Sequence, residues 1–289
     1  MGDLFPRTQV EGLSLSRMII GTNWMAGWSH TGPAADKMIK DRHHSHHTIV
    51  PMLEAFQENG VDTIMGVLSN PNSAHIYRGI QEVRERTGKD FVMIDTPVIN
   101  VDDNPQARQE AEATIRRCGE YGAKICLLHH SSVEQLVDKN KRQIKRLDDY
   151  TKMIRDAGMI PGLSSHMPEL VVYSDLNGYD VQTYIQIYNC MGFLMQSEIE
   201  TVSRIIWGAK KPVMTIKPMA AGRCTPYVGL NFSWSTIRSC DMVTVGCFNE
   251  NEVYEDIEIS RACFEHRYPE MEVRQSPNQH QDVLKGAHS

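Results

Sequence analysis

The chain has 289 residues, of which 41% are hydrophobic and 23% charged, with a formal net charge of -6 and a pI near 6.1. That balance excludes a phosphate-reading surface, which needs clustered Lys and Arg, and suits a soluble protein with a large core. No stretch approaches the roughly 18 unbroken apolar residues of a membrane span. The opening residues 1–6 (MGDLFP) lack the basic and apolar regions of a signal peptide, and seven cysteines without a CxxC spacing form no disulfide or zinc framework, so a reduced, cytoplasmic setting is expected.

Short apolar runs alternate with amphipathic segments, which is the pattern of a parallel sheet with crossover helices. Residues 17–23 (RMIIGTN) read as the first strand, followed by a long loop from Trp24 to about Ser45 and a helix stopped at Asn59-Gly60. The second to fourth strands fall at 61–67, 90–95 and 122–130, with helices at 74–88 and around 106–121. A long helix is expected over 133–157, which makes the basic run 139–146 (KNKRQIKR), followed by Asp148 and Asp149, a solvated helix face. The fifth to eighth strands fall at 159–164, 184–189, 212–217 and 242–246, with helices at 168–177, 198–208 and 250–266. Eight strand–helix pairs make a single TIM (β/α)8 barrel over residues 1–289, with 1–14 as an N-terminal cap and 275–289 as a loose polar tail. The run His43-His44-Ser45-His46-His47 reads as a solvated turn at a helix start, with a metal site as the alternative.

Four segments in the second half carry a family resemblance: 160–166 (IPGLSSH), 186–189 (QIYN), 217–223 (KPMAAGR), and 244–246 (TVG) with Glu252, Glu255 and Asp256. In this order they resemble the fifth to eighth strands of the aldo-keto reductase superfamily. The resemblance implies a barrel that reduces carbonyls with NADPH, using a tyrosine acid tuned by a lysine, an aspartate and a histidine. The front half departs from that pattern. Met65-Gly66 stands where the aspartate belongs, Asn70-Pro71-Asn72 near the tyrosine position, and Asp95-Thr96-Pro97 at the lysine position; only the histidine survives, as His129. Tyr77 falls inside a helix and reads as a structural aromatic.

Catalytic groups of such barrels stand at the C-terminal ends of strands. Those positions offer Asp95, His129, His166, Asn189 and Lys217, with His129 inward and His130 outward by strand alternation. Non-redox acid–base chemistry on a small polyhydroxylated carbonyl or sugar-like compound is therefore expected, of lyase, epimerase or isomerase type. Asp95 and His129 exchange protons in this scheme, His166 assists, and Lys217 polarises oxygen. Asp95, His129 and His166 also make a divalent metal set. The loop after the first strand supplies Asn23, Trp24, Trp28 and His30 for substrate, with Asn189 opposite. NADPH binding is expected to be weak or absent, because 248–251 (FNEN) holds no cation for a 2′-phosphate; Arg223 is the nearest candidate. The alternatives are an NAD(P)H-dependent oxidoreductase with a rearranged proton donor, and a catalytically inactive binding subunit. No nucleic acid or membrane partner is expected.

Overall fold

The computed structural model describes residues 4–271. The chain enters through an antiparallel hairpin, β1 (Arg7–Val10) and β2 (Leu13–Ser16), and passes into β3 (Met18–Gly21), β4 (Thr63–Gly66), β5 (Val92–Asp95) and β6 (Ile125–Leu128). A small ribbon, β7 (Val137–Asp138) with β8 (Gln143–Ile144), precedes β9 (Ile160–Ser165), β10 (Tyr184–Ile187), β11 (Val213–Ile216) and β12 (Met242–Val245). The eight strands β3–β6 and β9–β12 are parallel and close into one barrel, in the order β10-β11-β12-β3-β4-β5-β6-β9. This is the TIM barrel that the alternating pattern predicts.

Helices α1 (Pro33–Arg42), α2 (Val50–Glu58), α3 (Ala74–Thr87), α4 (Pro105–Glu120), α5 (His130–Val133), α6 (Leu147–Asp156), α7 (Glu169–Asn177), α8 (Ile199–Gly208), α9 (Pro226–Thr236) and α10 (Glu250–Glu265) connect the strands. Their ends carry the expected signals. Asn104 Oδ1 accepts the N–H of Ala107 at 2.9 Å and Asn249 Oδ1 that of Glu252 at 3.1 Å, each satisfying an orphan donor at a helix start. Gly88 and Gly178 close α3 and α7 in left-handed conformation.

Two apolar cores result. The larger lies between the barrel and its helices, and the smaller fills the barrel itself. Inside, Ile19, Met65, Ile94, Ile125, Leu127, Ile185, Met214 and Met242 pack on Val10 and Leu15, so the N-terminal hairpin stops the lower end of the barrel. Each such side chain contributes about 1.5–3 kcal/mol relative to exposure. The barrel is therefore filled from below, and only its upper mouth is open to chemistry.

Three expectations need correction. The helix expected over 133–157 is broken into α5, a 3-10 turn at Glu134–Leu136, the ribbon, and α6. The basic run forms the ribbon's tip and return, not a helix face. Asp138 Oδ1 accepts the N–H of Lys141 at 3.2 Å, and Arg142 and Arg146 turn the chain in left-handed conformation. The loop after β3 is partly helical, because Pro33 starts α1. Helix α9 occupies the connection between the last two strands, where periodicity leaves no bounds. The expected tail at 275–289 lies outside the described residues.

Candidate active site

The cavity at the upper mouth has a volume of about 340 Å³, within reach of the usual small-molecule range. Met65, Ile185 and Ile216 give it an apolar floor, and Thr22, Thr96, Ser164 and Thr244 give it hydroxyls. Nitrogen-bearing side chains dominate its polar lining: His30, His129, His130, His166 and Lys217. Glu252 is the lining carboxylate, and it accepts the N–H of Phe248 at 2.7 Å at the start of α10.

Lys217 reaches the cavity through an unusual backbone. Side chains alternate along a strand, so Met214 inside and Ile216 at the cavity would turn Lys217 outward. Its φ of 61° places it in the left-handed region and reverses that alternation, so that Ile216 and Lys217 both line the cavity. A non-glycine residue held in this way costs on the order of 1–3 kcal/mol and occurs preferentially at functional sites. The Lys217 Nζ donates to His30 Nε2 at 3.1 Å. Burial pulls the Lys217 ammonium down to about 8, because a cation loses solvation there. His30 is lowered by burial first and by Lys217 second, which keeps its Nε2 an acceptor.

The other histidines form one stack. His130 lies between His129 and His166, with ring centroids 4.2 and 3.6 Å away, the second pair nearly parallel at 16°. His129 caps α5: its Nδ1 accepts the N–H of Ser131 at 3.3 Å and sits 2.8 Å from Ser131 Oγ. The proton of its neutral ring is therefore on Nε2. Burial, then the neighbouring His130, lowers His129 to about 4; burial, then His130 and Lys217, lowers His166 to about 3. Both rings are neutral near pH 7. Glu134 holds the stack from behind, its Oε1 accepting the N–H groups of His166 at 2.6 Å and Met167 at 3.0 Å.

Of the residues expected at the site, Asn23, Trp24, His30, His129, His166 and Lys217 line this cavity, and Asp95, Asn189, Trp28 and Arg223 do not. Asp95 is turned toward the helices. Ile94 points into the barrel, so its neighbour points out, where Asp95 Oδ2 accepts the N–H of Ser69 at 2.9 Å beside Cys118. Burial raises its pKa. Asp95 thus neither exchanges protons with His129 nor joins a metal set with His129 and His166. Among the described residues, the group close enough to share an ion is His46, His47 and Glu82, at the surface turn. Asn189 is buried and orders its own loop, its Oδ1 accepting from Met191 and Phe193 and its Nδ2 donating to Phe193 O. Arg223 is spent on Ala220 O at 3.0 Å and on the face of Phe193. Trp28 is 42% exposed outside the cavity.

Two placements were not legible in the chain. His130 is the first residue of α5, so strand alternation does not apply to it and it faces the cavity with His129. Arg42 comes from α1 to stand 5.8 Å over the Phe248 ring, where His43 also packs. At the position of the family's aspartate, a side chain on Gly66 would lie 1.7 Å from Thr22 Oγ1. Thr22 fills that place. Tyr77 packs on Tyr121 at 4.7 Å in the helical layer.

Solved structures with the same barrel are numerous. A Pseudomonas aeruginosa protein assigned to the aldo-keto reductases aligns with a TM-score of 0.64 at 12% identity, covering 91% of this chain and 98% of its own. An aldo-keto reductase from Bacillus halodurans in its holo form gives 0.60 at 9%, covering 91% and 96%. Another from Klebsiella pneumoniae, in complex with NADPH, gives 0.58 at 11%, covering 90% of each chain. The fold is that of the aldo-keto reductases. No family model and no curated protein matches the sequence. These neighbours are named as reductases, which overturns the expectation of a lyase, epimerase or isomerase. No helix among the described residues is long and apolar enough to cross a membrane.

Proposed function

We propose that the chain is a nicotinamide-dependent oxidoreductase that reduces a small carbonyl compound, with Lys217 donating the proton that a tyrosine gives in the reductases it resembles. The observation that carries this is Lys217 itself: an ammonium in the barrel mouth, held down to about 8 by burial and bonded to a neutral imidazole. A donor with a pKa near the working pH both holds its proton and releases it readily. His30 Nε2 accepts from Lys217 and orients it. His129, with its proton on Nε2, donates a hydrogen bond toward a carbonyl oxygen, which is worth most where negative charge develops on that oxygen. The apolar floor of Met65, Ile185 and Ile216 excludes water below the reacting carbon.

A reduced nicotinamide, when bound, supplies the hydride. Two features suit such a group. Thr244 Oγ1 is buried in the cavity wall without a partner among the described residues, and with Ser164 it offers hydroxyls to a carboxamide. Arg42, beside the loop that opens α10, offers a cation to a phosphate. Gln186 and Asn189, which the family resemblance places at the nicotinamide, are buried away from the cavity and are not part of this reading.

The test is consumption of NADH and NADPH, followed by absorbance, with a panel of aldehydes and ketones. Lys217→Met is expected to lower kcat/KM by about 10²–10⁴-fold. His129→Ala is expected to cost about 10²-fold or more in rate, and about 1 kcal/mol of stability for the lost cap on α5. If titration calorimetry detects neither dinucleotide binding to the parent protein, the proposal fails.

A further inference from the structure

The five nitrogen-bearing side chains are a surplus over what reduction of a carbonyl needs. One proton donor and one hydrogen-bond donor serve that chemistry, yet Lys217, His30, His129, His130 and His166 all face the same cavity. Among the described residues Lys217 makes no ion pair; its hydrogen bond goes to an imidazole. The carboxylate nearest the stack, Glu134, is engaged with two backbone N–H groups and with His130, 3.8 Å from its Nδ1. Glu252 is tied to Phe248 at the start of α10. A largely buried ammonium without a counter-ion is costly, and a ligand that brings the missing negative charge removes that cost.

We infer that the cavity binds an anionic substrate, a carbonyl compound carrying a carboxylate or phosphate group, whose negative charge sits between Lys217 and the stack of His129, His130 and His166. The geometry favours one charged group held by several donors. His129 presents Nε2–H, Lys217 has N–H donors beyond the one given to His30, and His130 and His166 stack face to face within reach of one ligand. Anion binding also reverses the local charge balance. Burial, the neighbouring imidazoles and Lys217 keep His129 and His166 unprotonated, with Glu134 opposing them. An added negative charge favours the charged ammonium of Lys217, so near pH 8, where burial leaves that group half protonated, proton uptake accompanies binding. The inference takes the carbonyl from the proposed reduction, whereas the anion site stands on the cavity alone.

The experiment is titration calorimetry of the parent protein at pH 8 with 2-oxobutyrate, inorganic phosphate and 2-butanone, in two buffers of different ionisation enthalpy. At least one anion should bind tenfold or more tightly than 2-butanone, with proton uptake and with weakening by salt. Preference for 2-oxobutyrate over phosphate assigns the charge to a carboxylate, and the reverse to a phosphate. Lys217→Met and His166→Ala should each weaken anion binding at least tenfold, with far-ultraviolet circular dichroism unchanged. Equal binding of 2-butanone and both anions overturns the inference, as does anion binding that neither variant weakens. The two proposals fail separately. Anion binding without turnover of any reduced nicotinamide removes the reduction and leaves the site. Turnover of neutral carbonyls, with no response to charge, does the opposite.

Discussion

Replacing Lys217 by Met removes the charge and keeps a linear side chain in the same left-handed backbone, so the change in stability reports mainly on the buried cation. Burial lowers this ammonium from its ordinary value near 10.4 to about 8. At about 1.4 kcal/mol per tenfold change in proton affinity, the folded state loses about 3 kcal/mol at neutral pH by holding the charge. The variant also loses the hydrogen bond to His30, worth about 1 kcal/mol. Lys217→Met should therefore be more stable than the parent by about 2 kcal/mol near pH 7, a rise in melting temperature of about 3 °C for a chain of 289 residues. The pH dependence has a fixed sign. Below about 8 both folded and unfolded chains carry the proton, so the full penalty is present. Between about 8 and about 10.4 only the unfolded chain keeps it, and the parent gains stability until the penalty is gone. Urea unfolding of both proteins at a series of pH values measures the gap directly. A variant less stable than the parent near neutral pH, or a gap that does not close toward pH 10, refutes the reasoning.

With burial keeping His129 and His166 neutral near pH 7 and Lys217 at about 8, kcat/KM should fall above about 8 as Lys217 loses its proton; a fall already complete below pH 7 would assign the donor to a histidine instead. Asp95→Asn should retain kcat/KM within a few-fold, since the carboxyl faces Ser69 and Cys118; a loss of 10²-fold with unchanged melting would return it to the chemistry.

The barrel was legible because eight apolar runs at regular spacing admit few other closures. Parts of the mouth were legible as well. His129 lies two residues beyond Leu127, which points inward, and the same rule applied to Ile94 would have turned Asp95 away. Lys217 obeys no such rule, because its orientation depends on a left-handed φ that no neighbouring glycine announces. The ribbon at 137–144 was misread for a related reason. Val133, Leu136, Val137, Ile144, Leu147 and Ile154 recur at helical spacing, and the turn is made by arginines in left-handed conformation with no Gly or Pro as punctuation. Arg42 and His30 come from the long connection after β3, whose course depends on packing against Phe248 and Lys217, some 190 to 210 positions later in the chain.

The hairpin that stops the lower end of the barrel divides the molecule into a half that can be rewritten and a half that cannot. Val10 and Leu15 close a column of apolar side chains that ends at Met65, just beneath the cavity. Above that level, exchanging an acid for Gly66 or a basic group for Thr96 removes no apolar contact from the column. The mouth can thus drift from one set of reacting groups to another while the scaffold keeps its shape. A barrel that keeps the fold of its structural neighbours at 9–12% identity is what such a division permits. Selection of new activities in this chain has its raw material in the loops above Met65, with the plugged base as the fixed foundation.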